Sequence, residues 1–185
     1  MTRIVEADTD PAGFDLQPTL RGDLVELTPL LESDWASLHA VARDPLIWEQ
    51  HPARDRYEEP VFRAFFAEAL ASGGAFLVRD RGDGRVIGSS RYFGHDPVAR
   101  EIEIGWTFLA RSHWGGRYNG EMKRLMLQHA FRYVDRVVFH VGADNVRSQR
   151  AVERIGAVPI GSSPDATGRI RLVYAILAET FSPTP

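Results

Sequence analysis

Around Ser72-Gly73-Gly74 the hydrophobic period of the chain changes, and that change restricts its fold more than any other feature. Before the glycine pair, apolar residues recur every three or four positions: Trp35, Leu38 and Ala42, then Phe62, Phe65, Phe66, Ala69 and Leu70. That spacing puts each set on one face of a helix, the first capped by Ser33 and ended at Asp44-Pro45. After the pair the repeat shortens. Ala75 to Asp80 and Arg85 to Phe93 flank Arg81-Gly82-Asp83-Gly84, which has hairpin-turn chemistry. Glu101 to Phe108 alternates, so Ile102, Ile104, Trp106 and Phe108 are expected on one face, opposite Glu101, Glu103, Gly105 and Thr107.

Helical spacing returns from Asn119 to Val134. Val137 to Val141 then reads as a buried strand, and Ala151, Val152 and Ile155 as a short helix ended by Gly156. Two strands close the chain, about Val158 to Gly161 and Arg169 to Leu177. The order β-α-α-β-β-β-α-β-α-β-β predicts one mixed α/β domain. Its three consecutive strands form an antiparallel meander, and the later β-α-β step admits a parallel pair. The segment 1–19, rich in acidic residues, proline and glycine, is expected to be flexible, 20–181 to form the domain, and 182–185 to fray.

Composition removes several functions. The chain has 185 residues, no cysteine and a formal charge of −3. Disulfides, thiolate zinc sites and a cysteine nucleophile are excluded, and a dedicated nucleic-acid binder is disfavoured. No apolar run approaches a membrane span or a signal peptide, so a cytoplasmic protein without a membrane partner is expected. Lys123 is the only lysine, and no triad or metal-ligand spacing appears.

Two segments can carry chemistry. In the first, a strand ending at Phe108 leads through Arg111, His113, Trp114, Gly115, Gly116 and Arg117 into a helix near Asn119. Paired glycines before a helix let backbone N–H groups converge where the helix dipole favours an anion, and arginine forks suit phosphate. The plain alternative is a turn. In the second, Asn145-Val146-Arg147-Ser148 opens the short helix that ends at Gly156-Ala157, where Asn145 and Ser148 can equally be a cap and a first-turn hydroxyl.

In this order and spacing, the two segments resemble the GNAT acyltransferase superfamily, and within it the group related to bacterial ribosomal-protein alanine N-acetyltransferases. The likeness spans most of the chain. It runs from Leu20-Arg21-Gly22-Asp23-Leu24 through Val86-Ile87-Gly88 and Glu103-Ile104-Gly105-Trp106 to Trp114-Gly115-Gly116-Arg117-Tyr118-Asn119-Gly120 and the Asn145 helix. The family's phosphate loop reads Gln/Arg-x-x-Gly-x-Gly/Ala. Here Trp114 stands at its first position, and Arg117 and Asn119 replace two small residues.

The resemblance implies a GNAT-like, mostly antiparallel central sheet with helices on both faces. It implies acetyl-CoA as co-substrate with no metal, direct transfer of acetyl to a primary amine on a protein N-terminus or small molecule, and a dimer through the late strands. It assigns the coenzyme to Phe108, Leu109, Arg111, Gly115, Gly116, Arg117, Tyr118, Asn119, Gly120 and Asn145. Ser148 is the expected partner of the leaving thiolate. Glu103, on the polar face of its strand, is the expected base, ahead of His113 and His140. The irregular segment from Leu46 to Tyr57 offers Trp48, His51 and Tyr57, with Arg54, as an acceptor lining. The alternative is a non-catalytic module that keeps the fold to bind acyl-CoA or a partner.

Overall fold

The computed structural model describes residues 13–182. Its strands are β1 (Leu20–Arg21), β2 (Val25–Pro29), β3 (Ala75–Asp80), β4 (Val86–Asp96), β5 (Glu101–Leu109), β6 (Arg136–Gly142), β7 (Val158–Pro164) and β8 (Ile170–Leu177). The helices are α1 (Trp35–Ala42), α2 (Pro45–Trp48), α3 (Glu59–Ala71), α4 (Arg117–Ala130) and α5 (Val146–Arg154). All eight strands join one sheet in the order β1-β2-β3-β4-β5-β6-β8-β7. Every neighbouring pair is antiparallel except β5 and β6, which are parallel.

Helices cover both faces. Met122, Met126 and Leu127 of α4 and Val152 of α5 pack with Ile102, Ile104, Leu109, Phe139 and Tyr174. On the opposite face Leu38 and Ala42 of α1, Trp48 of α2, and Phe62, Phe65 and Phe66 of α3 pack with Leu77 and Phe108. Each fully buried large side chain contributes roughly 1.5–3 kcal/mol of transfer free energy, so the two clusters hold the sheet from both sides. Of the helical residues singled out by their spacing, all but Ala151 lie in or against these two clusters.

The expected alternation of β5 fails partway along. Gly105 pairs with Arg91 but Phe108 with Ser89, so three steps on β5 match two on β4. This bulge leaves Trp106 at φ +51, a conformation that costs a bulky L-residue about 1–2 kcal/mol. It also reverses the phase of the strand. Ile102 and Ile104 face α4, whereas Trp106 and Phe108 join the cluster under α1–α3. An extra residue in one strand leaves no trace in a two-residue repeat, because what creates it is pairing with the neighbour.

Smaller differences have local causes. A 3₁₀ turn at Glu32–Asp34 precedes α1, so Ser33 is not its cap. Pro45 does not lead into irregular chain but opens α2, where Asp44 Oδ1 accepts the Leu46 N–H at 3.1 Å; proline at a first helical turn loses no intrahelical bond. The later part of the segment 1–19, expected to be flexible, makes contacts with the domain. The Phe14 ring stacks on Tyr133 with centroids 4.7 Å apart, Gln17 Nε2 donates to Ala75 O at 2.8 Å, and His129 Nε2 donates to Asp15 O at 2.8 Å. Residues 1–12 of that segment, and 183–185 of the expected frayed tail, lie outside the described residues.

Candidate active site

The parallel pairing of β5 with β6 covers Glu101↔Arg136, Ile102↔Val137 and Glu103↔Val138 and ends there. β5 continues against β4 as far as Leu109, and β6 against β8 as far as Gly142. Strands joined at one end and parted at the other form a wedge. Along its inner edge the backbone groups of β5 beyond Glu103 have no strand partner, and backbone donors and acceptors left this way seek a ligand or water. Thr107 is exposed on this stretch. Phe108 and Leu109 bury their side chains on opposite faces of the sheet.

At the end of β5 a 3₁₀ turn (Arg111–His113) leads to Gly115 and Gly116, with φ of +105 and +107. Only glycine enters this region without strain, and the pair swings the chain into α4. The helix begins at Arg117, two residues before the expected Asn119. Arg117, Tyr118 and Asn119 therefore occupy its first turn, where the backbone N–H groups lack intrahelical acceptors. Gly120 N–H already bonds to Gly116 O at 2.7 Å. Positions 117 and 119 have helical backbone, so the larger residues there carry no backbone strain. No acidic side chain lies in this first turn to oppose an anion.

The loop is pinned from behind. Asp80, at the end of β3, accepts the Gly82 N–H at 2.7 Å, His113 Nε2 at 3.0 Å and the Tyr118 hydroxyl at 3.0 Å. Those donors, Gly82 first and His113 next, hold the Asp80 carboxyl below the usual carboxylate range. Trp114 Nε1 donates to Leu109 O at 2.9 Å. Tyr118 and His113 thus brace the loop through their side chains. Arg111, expected to meet phosphate, has its Nε 2.6 Å from Asp44 Oδ2 in an ion pair. Arg117 is exposed beside the helix end. The loop also faces charge from α5: the Arg147 guanidinium lies 4.2 Å over the Trp114 ring, and Arg154 Nη1 is 4.0 Å from where a Gly116 side chain would begin.

Glu103 and His140 face α1–α3 where the wedge opens. His140 Nδ1 stands 3.1 Å from Glu103 Oε1, inside ion-pair distance, without the alignment of a hydrogen bond. Sequence placed His140 inside a strand and ranked it low; only the β5–β6 register sets it beside Glu103. Ser148 lies half-buried in the first turn of α5. Its N–H is capped by the side-chain oxygen of Asn145 at 3.1 Å, which commits that oxygen to the helix and leaves the Asn145 amide nitrogen for other contacts.

Of the expected acceptor lining, Trp48 is a core residue whose Nε1 donates to Ala42 O at 2.7 Å. Tyr57 and Arg54 are exposed. His51 is half-buried, and burial, then the Arg56 charge, push its pKa down to about 4. Sequence reasoning missed Arg56 and Arg91. The Arg56 guanidinium lies 4.5 Å over the Phe65 ring, and Arg91 of β4 lies 4.7 Å over Trp106 and 5.6 Å over Phe65. Burial lowers both to about 10, so each stays charged at neutral pH. In a chain whose basic residues are nearly all arginine, no local signal separates these two from the rest.

A cleft of about 610 Å³ between α1, α2 and the Arg111–His113 turn is lined by Asp44 and Arg111 and does not include Glu103 or Ser148. Among the described residues no group of three or more acidic or histidine side chains is placed to hold a metal ion, and no helix is long and apolar enough to cross a membrane.

The family model for the acetyltransferase (GNAT) domain matches residues 25–158. A search of curated proteins found no match. Among solved structures, a GCN5-related N-acetyltransferase from Brucella melitensis aligns with a TM-score of 0.79 at 21% identity, covering 88% of this chain and 80% of that one. The acetyltransferase from Agrobacterium tumefaciens aligns at 0.68 and 26% identity, covering 86% and 94%. Mycobacterium smegmatis RimJ, solved with CoA-disulfide, aligns at 0.66 and 21% identity, covering 84% and 82%.

Proposed function

The chain belongs to the GNAT acetyltransferase family, and from that premise we propose that it moves acetyl directly from acetyl-CoA to a primary amine, with Glu103 as base and Ser148 as proton donor. The observation that carries this reading is the double positive-φ glycine turn that opens α4 next to the β5–β6 wedge. The residues present suit a coenzyme A diphosphate: free N–H groups at Arg117–Asn119, a loop braced by Asp80, and the side chains of Arg117 and Arg154 close by. RimJ, of similar fold, was solved with CoA-disulfide, which supports coenzyme A as the kind of ligand this fold takes. Bound there, acetyl-CoA supplies an acyl group already activated as a thioester.

The chain's own groups do the rest. An amine must be neutral to attack, and Glu103, on the acceptor side of β5, accepts its proton with His140 alongside. Backbone N–H groups on the unpaired edge of β5 donate to an acyl oxygen, which concentrates stabilisation where negative charge develops. The Ser148 hydroxyl, at the start of α5, donates a proton toward sulfur. Trp114 and Tyr118 keep the loop in place through their bonds to Leu109 and Asp80. The non-catalytic alternative is disfavoured by the Glu103–His140 pair, which a mere binding module has no need to keep at the wedge.

The acceptor class expected is a protein N-terminus or a small amine. A dimer through the late strands fits the exposed Val158 and Ile160 on the edge strand β7, and sedimentation tests it. The transfer reading is tested by calorimetric titration with acetyl-CoA, CoA and ADP, followed by an amine screen that follows thiol release. Micromolar binding retained by CoA and weakened in Arg117→Ala supports it. No heat and no thermal shift at millimolar coenzyme overturns it.

A further inference from the structure

Granted the transferase reading above, we propose that the acceptor is an α-amino acid, its carboxylate held by Arg91 and Arg56 while its ammonium faces Glu103. Arg91 is only 3% exposed, yet its Nε and Nη2 have no hydrogen-bond partner among the described residues. Burying such donors unpaired is costly, the more so when the group is charged, so a fold that keeps them has a use for an acceptor there. The guanidinium lies over the rings of Trp106 and Phe65, which supply no acceptor oxygen for these N–H groups.

A second observation points to the same chemistry. His51 Nδ1 accepts the Ala53 N–H at 2.9 Å, so in the neutral ring the proton sits on Nε2. Arg56 Nη1 approaches that Nε2 to 3.3 Å, which brings two donors together. Burial and the Arg56 charge both oppose a second proton on His51, and an oxyanion accepting from both N–H groups relieves the conflict. Arg56 and Arg91 share the Phe65 ring and lie close enough to repel each other. An anion between them removes that repulsion as well. Exposed Glu68 on α3 is the other charge acting on both, together with Asp55 on Arg56 and Glu103 on Arg91.

The spacing suits a zwitterion. Arg91 pairs with Gly105 and Glu103 with Phe93, so Arg91 and Glu103 are diagonal neighbours on adjacent strands, about 7–8 Å apart along the backbone. No ion pair joins them among the described residues, and both side chains face α1–α3. A positive and a negative group fixed on one surface and not spent on each other match a molecule whose ammonium and carboxylate are a few bonds apart. The exposed Phe93 ring, 5.0 Å from Trp106, borders the same face and favours an apolar or aromatic side chain.

The experiment uses glycine, L-alanine, L-phenylalanine and L-glutamate, each beside its amide. The amide keeps the amine, loses the carboxylate and mimics a peptide N-terminus. Its amine also deprotonates more readily, so preference for the acid cannot come from amine basicity. Each compound is titrated into protein saturated with CoA, and kcat/KM is measured with acetyl-CoA. At least one acid is expected to bind and react tenfold or more better than its amide, and R91Q and R56Q are each expected to bring that ratio toward one. The less buried Arg56 guards against misfolding of R91Q. Equal or better use of the amides overturns the proposal and leaves the transferase standing, with a peptide N-terminus as its acceptor. An acid preference that survives both variants overturns the role of the two arginines. Binding of the acids without transfer supports the site and overturns the transferase instead, and failure of every acid to bind overturns the site.

Discussion

His140 Nδ1 and Glu103 Oε1 stand 3.1 Å apart where β5 and β6 cease to pair, on the face of the sheet turned toward α1–α3. A carboxylate there can take a proton from an amine, and the imidazole can hold its charge in place. Glu103→Gln is expected to lower kcat about 10²-fold, the lower end of what a positioned base contributes, while the CoA affinity changes less than twofold. His140→Asn is expected to act in the same direction by a smaller factor. Thiol-release kinetics with the best amine check both, and a Glu103→Gln enzyme at full kcat ends the assignment.

The loop makes two separable contributions. Gly116 has φ +107, and a side chain there costs about 1–3 kcal/mol of backbone strain. Gly116→Val is expected to weaken CoA and ADP alike. Arg117→Ala is expected to weaken both about tenfold and to flatten the salt dependence of their Kd, because it removes a charge-assisted contact. Titrations at two salt concentrations separate the effects.

Lys123 is buried at 4% exposure in α4, and its ammonium donates to Ser90 Oγ at 3.0 Å and to Thr107 Oγ1, with no ion pair among the described residues. Burial pulls its pKa to about 7. An unfolded lysine holds its proton to higher pH, so between these values the unfolded state binds more protons and stability rises with pH, at most by about 1.4 kcal/mol per unit. Lys123→Met is expected to remove that rise. It should melt no lower than the parent at pH 7, since Ser90 and Thr107 already bond each other at 2.8 Å. Melting temperatures from pH 6 to 9 decide it; a parallel pH slope in both proteins rejects the assignment.

His51 titrates in the opposite range with the same sign. Its folded pKa, about 4, lies below that of a free imidazole. The unfolded chain therefore takes up the proton first, and stability falls as pH drops from about 6.5 toward 4. His51→Gln is expected to flatten that segment of the acid-unfolding curve, measured by circular dichroism against the parent. A curve that keeps its slope refutes the neutral, buried histidine.

Much of this architecture was legible in the chain. Residues 3.6 apart such as Phe62, Phe65, Phe66 and Ala69 report a buried helix face whatever packs on it, because the helix alone sets which residues share a side. The glycine pair likewise announced a turn that other residues resist, and it stands at the helix end where anion-binding chemistry was expected.

Other features belong to contacts between distant segments. The β5 bulge arises from pairing with β4, so nothing within Glu101–Leu109 betrays that Trp106 and Phe108 cross to the other face. Glu103 meets His140 only through a parallel register, and Arg56 and Arg91 share one aromatic ring across 35 residues of sequence only because α3 lies on the sheet. Local periodicity and backbone conformational limits, written in the sequence itself, determined the elements, their order and the glycine turn. Which charged groups lose water and face one another was decided by the tertiary structure alone, because desolvation and proximity depend on every element packed around them.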